Sequence, residues 1–140
     1  MSKRLFVYGS LLNDEVTDAL LGAPLSRQPA TLHGYQRVVV KGESYPGIFV
    51  DESACVEGQV ITGLTAEQWQ QLDTFEGEYY ARETVTVTLA TGVAIACDVY
   101  VIKPEYVDKL SSEPWSNRHF RETLMNQFVA GYSGYSRCHP

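Results

Sequence analysis

The chain opens on a continuously apolar run, Leu5-Phe-Val-Tyr8, which Gly9 cuts short. Unbroken apolarity over so few residues predicts a strand buried on both faces. Asn13 then stands as a helix N-cap before Asp14 and Glu15, whose charges suit the positive end of a helix dipole. Val16, Ala19 and Leu20 fall on one helical face, and Gly22 stops that helix. Thr31–Val40 and Tyr45–Val50 read as strands joined by the turn Lys41-Gly-Glu-Ser44, with Val56–Gly63 a separate strand after them.

Thr65-Ala-Glu-Gln68 matches a capping box and opens a helix with the stripe Trp69, Leu72 and Phe75, ended by Gly77. Arg82–Leu89 alternates Thr84, Thr86 and Thr88 with Val85, Val87 and Leu89, the pattern of a half-buried antiparallel strand. Thr91-Gly92 turns it into Val93–Ile102, so these two strands form a hairpin. Ser116 caps a last helix carrying Phe120, Leu124 and Phe128, with Trp115 and Phe120 at the positions of a hydrophobic staple and Gly131 at its end. The expectation is a mixed α+β fold: a mostly antiparallel sheet of about six strands, with helices beside it. Residues 1–131 read as one domain and 132–140 as a loose tail.

Composition narrows the function classes. At 140 residues the chain has room for one core and needs neither disulfide nor metal to fold. Seventeen Asp+Glu against eleven Lys+Arg, with no basic run, exclude nucleic acid or an anionic membrane as principal partner. Cys55, Cys97 and Cys138 lie far apart, so a disulfide framework and a CxxC metal site are both unsupported. Cys55 reads as a small buried hydrophobe. With no apolar stretch of ~18 residues and no signal-like segment, the expectation is a reduced, cytoplasmic protein.

Four segments are candidates for chemistry. Tyr8-Gly9-Ser10-Leu11-Leu12 follows a buried strand, where backbone N–H groups emerge without ladder partners and can hold a carboxylate or an oxyanion. A tight turn after a core Tyr is the plainer reading of the same residues. Glu76 ends its helix among carbonyls of partial negative charge, with Asp73, Glu78 and apolar Phe75 close in sequence. All of these raise a carboxyl pKa, as a general base working near neutrality requires; a solvated surface Glu is the alternative. Tyr80 and Arg82 share a strand face and offer a hydroxyl and a guanidinium fork, or form an ordinary aromatic–cation pair. Tyr45-Pro46-Gly47 either lines a pocket or bends a strand. The histidines lack metal-ligand spacing, and Ser10 is not in a Gly-x-Ser-x-Gly elbow, which leaves a metal-free site of one carboxylate and backbone amides.

Val7-Tyr-Gly-Ser-Leu11, Tyr45-Pro-Gly47, Leu72-Asp-x-Phe-Glu-Gly77, Tyr80-x-Arg82 and Glu113-Pro-Trp-Ser116 stand together in a characteristic order and spacing. In this set the chain resembles the γ-glutamylcyclotransferase-like superfamily, in its avirulence-induced-gene-like branch. The resemblance implies a small twisted, barrel-like sheet with flanking helices. It also implies that Glu76 is the acid/base, and that Val7, Tyr8, Gly9, Ser10, Leu11, Leu12, Tyr45, Tyr80 and Arg82 surround a small-molecule substrate. The implied reaction releases 5-oxoproline from a γ-glutamyl compound without cofactor or metal, in a monomer or weak homodimer. Leu11 stands where the glutathione-degrading and γ-glutamyl amino-acid enzymes of that superfamily carry Asn, which leaves γ-glutamyl amines, dipeptides and other acyl substrates open. A binding module that keeps the pocket without turnover is the rival reading, and a partner surface built on Trp69 and Trp115 is a third.

Overall fold

The computed structural model describes residues 4–22 and 25–124. Strand β1 (Leu5–Val7) is apolar at every position because it runs inside a sheet covered on both faces. Leu5 and Val7 join one apolar cluster with the helices, while Phe6 and the following Tyr8 join another inside the sheet. That is the two-residue period of a strand, with neither side wet.

The other strands are β2 (Ser26–Val40), β3 (Pro46–Thr62), β4 (Tyr80–Leu89), β5 (Ala94–Ile102) and β6 (Leu110–Pro114). They pair in the order β3-β1-β5-β4-β2, and β2 pairs back onto β3, so five strands close into a barrel. All these pairs are antiparallel except β1 with β5. Closure leaves the barrel without an exposed edge. Among the described strands only β6 sits outside the ring, added to the end of β2 where Val38 faces Pro114 and Val40 faces Leu110.

Two sequence expectations need correction here. Tyr45–Val50 and Val56–Gly63 are parts of one strand, because β2 runs opposite both. Pairing passes from Tyr35↔Val50 to His33↔Cys55, so Gly34 alone stands opposite Asp51–Ala54. Gly34 takes φ +87° at this bulge, which only glycine adopts readily. The polar bulge residues interrupt the apolar alternation without ending the strand. Cys55, expected inside, is exposed, whereas Cys97 is buried in the barrel interior.

Helix α1 (Asp14–Leu21) follows a single 3-10 turn (Ser10–Leu12), and helix α2 (Ala66–Glu76) joins β3 to β4. The capping box is present: Gln68 N–H donates to Thr65 Oγ1 at 3.1 Å, and Thr65 N–H donates to Gln68 Oε1 at 3.0 Å. Asn13 occupies the N-cap of α1, but its side chain is used elsewhere, donating to Ser10 O at 3.0 Å and Asn117 Oδ1 at 2.9 Å. Helix α3 (Asn117–His119) continues as a wider π turn over Phe120–Leu124, and its cap Ser116 accepts from His119 N–H. The Trp115 and Phe120 rings meet at 5.7 Å between centroids, as a staple requires. Phe128, Gly131 and residues 132–140 lie outside the described residues.

The core therefore has two layers. Phe6, Leu32, Ile48, Val60 and Val99 fill the barrel, while Leu20, Trp69, Leu72 and Phe120 seal the helices onto its outer wall. Each fully buried large side chain contributes roughly 1.5–3 kcal/mol. Among the described residues no helix is long and apolar enough to cross a membrane.

Candidate active site

Three pieces of chain meet where β1 ends. The Tyr8–Leu12 turn leaves β1, Tyr45-Pro46 enters β3, and α2 arrives with Phe75 and Glu76 at its last turn. Between them lies a cavity of about 140 Å³, closed behind by Tyr80 and Tyr100. Of the residues singled out from sequence, Val7, Tyr8, Gly9, Ser10, Leu11, Tyr45, Glu76 and Tyr80 line it. Leu12 and Arg82 do not; Leu12 packs among the helices, and Arg82 lies behind α2. Phe6, Pro46, Phe75 and Tyr100 complete the lining.

The turn holds its own amides open. The Tyr8 carbonyl accepts from Arg37 Nη1 at 2.7 Å, and the Gly9 carbonyl from Leu12 N–H at 2.9 Å. The Ser10 carbonyl accepts from Asn13 twice, from its N–H at 3.2 Å and its Nδ2 at 3.0 Å. In a planar trans peptide N–H points opposite to C=O. Fixing these three carbonyls therefore turns the N–H groups of Gly9, Ser10 and Leu11 the other way. None of the three donates to an acceptor among the described residues. Consecutive free amides of this kind form an anion-holding nest.

In the same cavity, the Glu76 side chain forms no hydrogen bond or ion pair among the described residues. Burial first, and the Asp73 charge second, push its carboxyl up to about 8. Glu78, expected from sequence to contribute, acts instead on Tyr106. Asp73 lies three residues back on the same helix face and is itself held: Tyr100 Oη donates to its Oδ1 at 2.6 Å, and Arg82 Nη2 stands 3.5 Å from its Oδ2. Arg82 also stacks over the Trp69 ring at 4.6 Å. The pair expected from Tyr80 and Arg82 thus shares one face but serves two purposes.

The tyrosines are spoken for. Tyr80 Oη donates to the Pro46 carbonyl at 2.8 Å and Tyr8 Oη to the Tyr100 carbonyl at 2.6 Å. Burial raises both hydroxyls well above their ordinary range, and Tyr45 up to about 12, so all stay protonated. Among the described residues no group of three or more His, Cys, Asp or Glu side chains could hold a metal ion. Tyr100 and Arg37 escaped the sequence reading because each sits in a strand pattern that marks only core or surface.

A family model described as gamma-glutamyl cyclotransferase, AIG2-like, matches residues 5–117. Protein AIG2 C of Arabidopsis thaliana is 42% identical over 129 residues, 91% of this chain and 78% of that one. AIG2-like protein C of the same plant is 36% identical over 126 residues, 89% of this chain and 73% of that one. An Arabidopsis thaliana protein solved in solution superposes with a TM-score of 0.72 at 31% identity, over 100% of this chain and 86% of its own. A solved gamma-glutamyl cyclotransferase shares the fold with a TM-score of 0.68 at 21% identity, over 96% of this chain and 81% of that one. By its sequence over most of its length and by its barrel, the chain belongs to the AIG2-like gamma-glutamyl cyclotransferase family.

Proposed function

We propose that the protein is a γ-glutamyl cyclotransferase that releases 5-oxoproline from a γ-glutamyl amine or peptide. The observation that carries this reading is the meeting, in one small cavity, of a half-buried carboxyl and three amides that have no partner among the described residues. The γ-glutamyl group brings its own nucleophile, so the protein needs only to fold the substrate and carry protons from the attacking nitrogen to the leaving one. Its α-ammonium approaches Glu76, whose raised pKa brings proton transfer close to balance. Binding the cation also lowers that pKa, so the carboxylate forms as the substrate seats.

Glu76 takes the proton, and the freed amine attacks the γ-carbonyl to form the ring C–N bond. The oxygen becomes an oxyanion facing the amides of Gly9, Ser10 and Leu11. Collapse breaks the bond to the leaving nitrogen, which receives the proton from Glu76. The carboxylate then takes the second proton of the ring nitrogen and passes it to the released amine, which departs as an ammonium. Holding the chain folded draws on the ~7–11 kcal/mol open to well-oriented intramolecular reactions, and each amide donor is worth about 3–4 kcal/mol in comparable sites. Tyr8, Tyr45 and Tyr80 shape the cavity walls. No cofactor enters this scheme.

The test is incubation with a panel of γ-glutamyl amines and dipeptides, with 5-oxoproline as the readout. Release from at least one member is expected. The profile of kcat/KM against pH should rise through a midpoint near 8, because the free enzyme must lose the Glu76 proton before it acts as base. No release from any member would overturn the assignment and leave a binding module on the same barrel.

Gly9→Ala supplies a second check. A Cβ at Gly9 would stand 2.7 Å from Pro46 Cγ and 2.8 Å from its Cδ, and that rigid ring is part of the cavity wall. Relief moves Pro46, whose carbonyl anchors Tyr80. A drop in kcat/KM of at least about tenfold is expected, since misplacement by an ångström costs about a hundredfold in oriented sites. Steady-state kinetics on the best substrate of the panel decides it.

A further inference from the structure

Two arginines of β2 hold carbonyls of the same turn, and they are not equivalent. Arg27 donates to the Leu11 carbonyl at 2.8 Å, to Thr17 Oγ1 at 2.7 Å, to Gln59 Oε1 at 3.0 Å and to Asp14 Oδ1 at 2.8 Å. Its charge is thus paired. The peptide it fixes, Leu11–Leu12, has an N–H that already donates to the Gly9 carbonyl. Arg27 braces α1 against the barrel.

Arg37 differs in both respects. Its Nη1 donates to the Tyr8 carbonyl at 2.7 Å and the Glu57 carbonyl at 3.2 Å, and its guanidinium lies 5.2 Å from the centre of the Trp115 ring. No carboxylate lies within ion-pair distance among the described residues, although the Glu57 charge acts on it from farther away. It is half-buried, so solvent screens it less than a surface charge. The peptide it holds, Tyr8–Gly9, is the first of the three whose N–H is left open beside the cavity.

We infer that Arg37 is a positioning residue for the reaction: through the Tyr8 carbonyl it aims and polarises the Gly9 N–H toward the developing oxyanion. The inference rests on the cyclotransferase reading. A cation bonded to a peptide oxygen draws density from that peptide and makes its N–H a stronger donor, as hydrogen-bonded chains polarise one another. Arg37 touches no substrate itself. Its contribution grows as negative charge forms in front of Gly9, so it belongs to the transition state more than to the bound substrate.

The experiment compares Arg37→Gln, Arg37→Lys and Arg27→Gln on the γ-glutamyl compound that the wild type turns over. Arg37→Gln should lower kcat about 30-fold with KM within about threefold, somewhat less than the loss of a direct oxyanion donor. Arg37→Lys keeps the charge with a single-point donor and should recover about tenfold of that loss. Arg27→Gln should lower the melting temperature and leave kcat within about threefold. In amide spectra, 5-oxoproline should move the Gly9 resonance downfield in the wild type and not in Arg37→Gln. Equal losses of kcat in Arg27→Gln and Arg37→Gln, or a change confined to KM, would overturn the inference.

If the wild type turns over no γ-glutamyl compound, the reaction assignment fails by itself. Arg37 is then judged on the Gly9 resonance with acetate as the anion. A downfield shift in the wild type that Arg37→Gln lacks supports the aiming role. Equal shifts, or none in either protein, overturn it.

Discussion

Glu76→Gln is expected to abolish 5-oxoproline release and, at the same time, to make the protein more stable above pH 8. In the proposed reaction, loss of activity follows from removing the proton carrier, a change of about 10²–10⁴ in rate for general acid–base groups. The gain in stability follows from the same carboxyl. Folding raises its pKa from an ordinary 4.5 to about 8. Below the lower value both folded and unfolded chains carry the proton, and Glu76 costs nothing. Between the two values the unfolded chain releases its proton while the folded chain keeps it, so stability falls as pH rises. Above about 8 the folded chain carries a half-buried charge with no partner among the described residues, and the loss is complete.

At about 1.4 kcal/mol for each tenfold change in proton affinity, and with one side of the carboxyl open to the cavity, the cost is about 3–4 kcal/mol. The uncharged Gln does not bear it. Melting at pH 9 should therefore place the variant roughly 6–12 °C above the wild type, and the two should converge near pH 4. A constant offset at both pH values would show that Gln changes packing and not charge, and would remove the electrostatic basis of the site. A site that lowers its own stability to keep a base near neutrality is the trade expected of a catalytic carboxyl.

Gly58→Ala should cost more stability than any other single methyl group added to the barrel. Gly58 lies in β3 opposite Ala30 of β2, and on its other side β3 pairs with β1. A Cβ there would collide with the backbone carbonyl of Val7 and stand 2.7 Å from Cζ of the Phe6 ring. The ring can be trimmed, but the carbonyl cannot. Relief requires β1 to slide against β3, which disturbs the barrel wall and the turn that begins at Tyr8.

Overpacking of this kind costs about 3 kcal/mol or more, a large part of the roughly 7–15 kcal/mol that holds such a domain folded. The melting temperature should fall by about 10 °C, measured by circular dichroism. Phe6→Leu in the same chain should restore only a minor part of the loss, because the carbonyl contact remains. A variant melting within about 2 °C of the wild type would show that β1 has room that the packing denies.

How much of this was legible beforehand differs from element to element. The capping box at Thr65, the stop at Gly77 and the staple of Trp115 on Phe120 are local devices, set by residues within a few positions of one another. Each stands in the structure as the spacing predicts. The β4–β5 hairpin is legible for the same reason: strict alternation around Thr91-Gly92 specifies both strands and their register. The position of Glu76 at the end of its helix followed from the capping box and Gly77 alone.

Tertiary structure decided what depends on residues far apart in the chain. Two links of the barrel rest on very few residue pairs, β2–β4 on Ala30 with Leu89 and Thr31 with Thr88 and β1–β5 on Leu5 with Asp98, and they leave no periodic signal in the strands. Strand β6, Leu-Ser-Ser-Glu-Pro, has one apolar residue and exists because the end of β2 offers it an edge. Tyr100 and Arg37 read as ordinary strand residues until the fold brings one to Asp73 and the other to the Tyr8 carbonyl. The chain by itself thus determined helices α1 and α2, the β4–β5 hairpin and the carboxyl worth watching, because short-range capping, turn and alternation energies are written locally. Only the folded barrel decided which carbonyls are held, which amides stay open and how far Glu76 is removed from water, because burial and charge proximity are properties of neighbours in space.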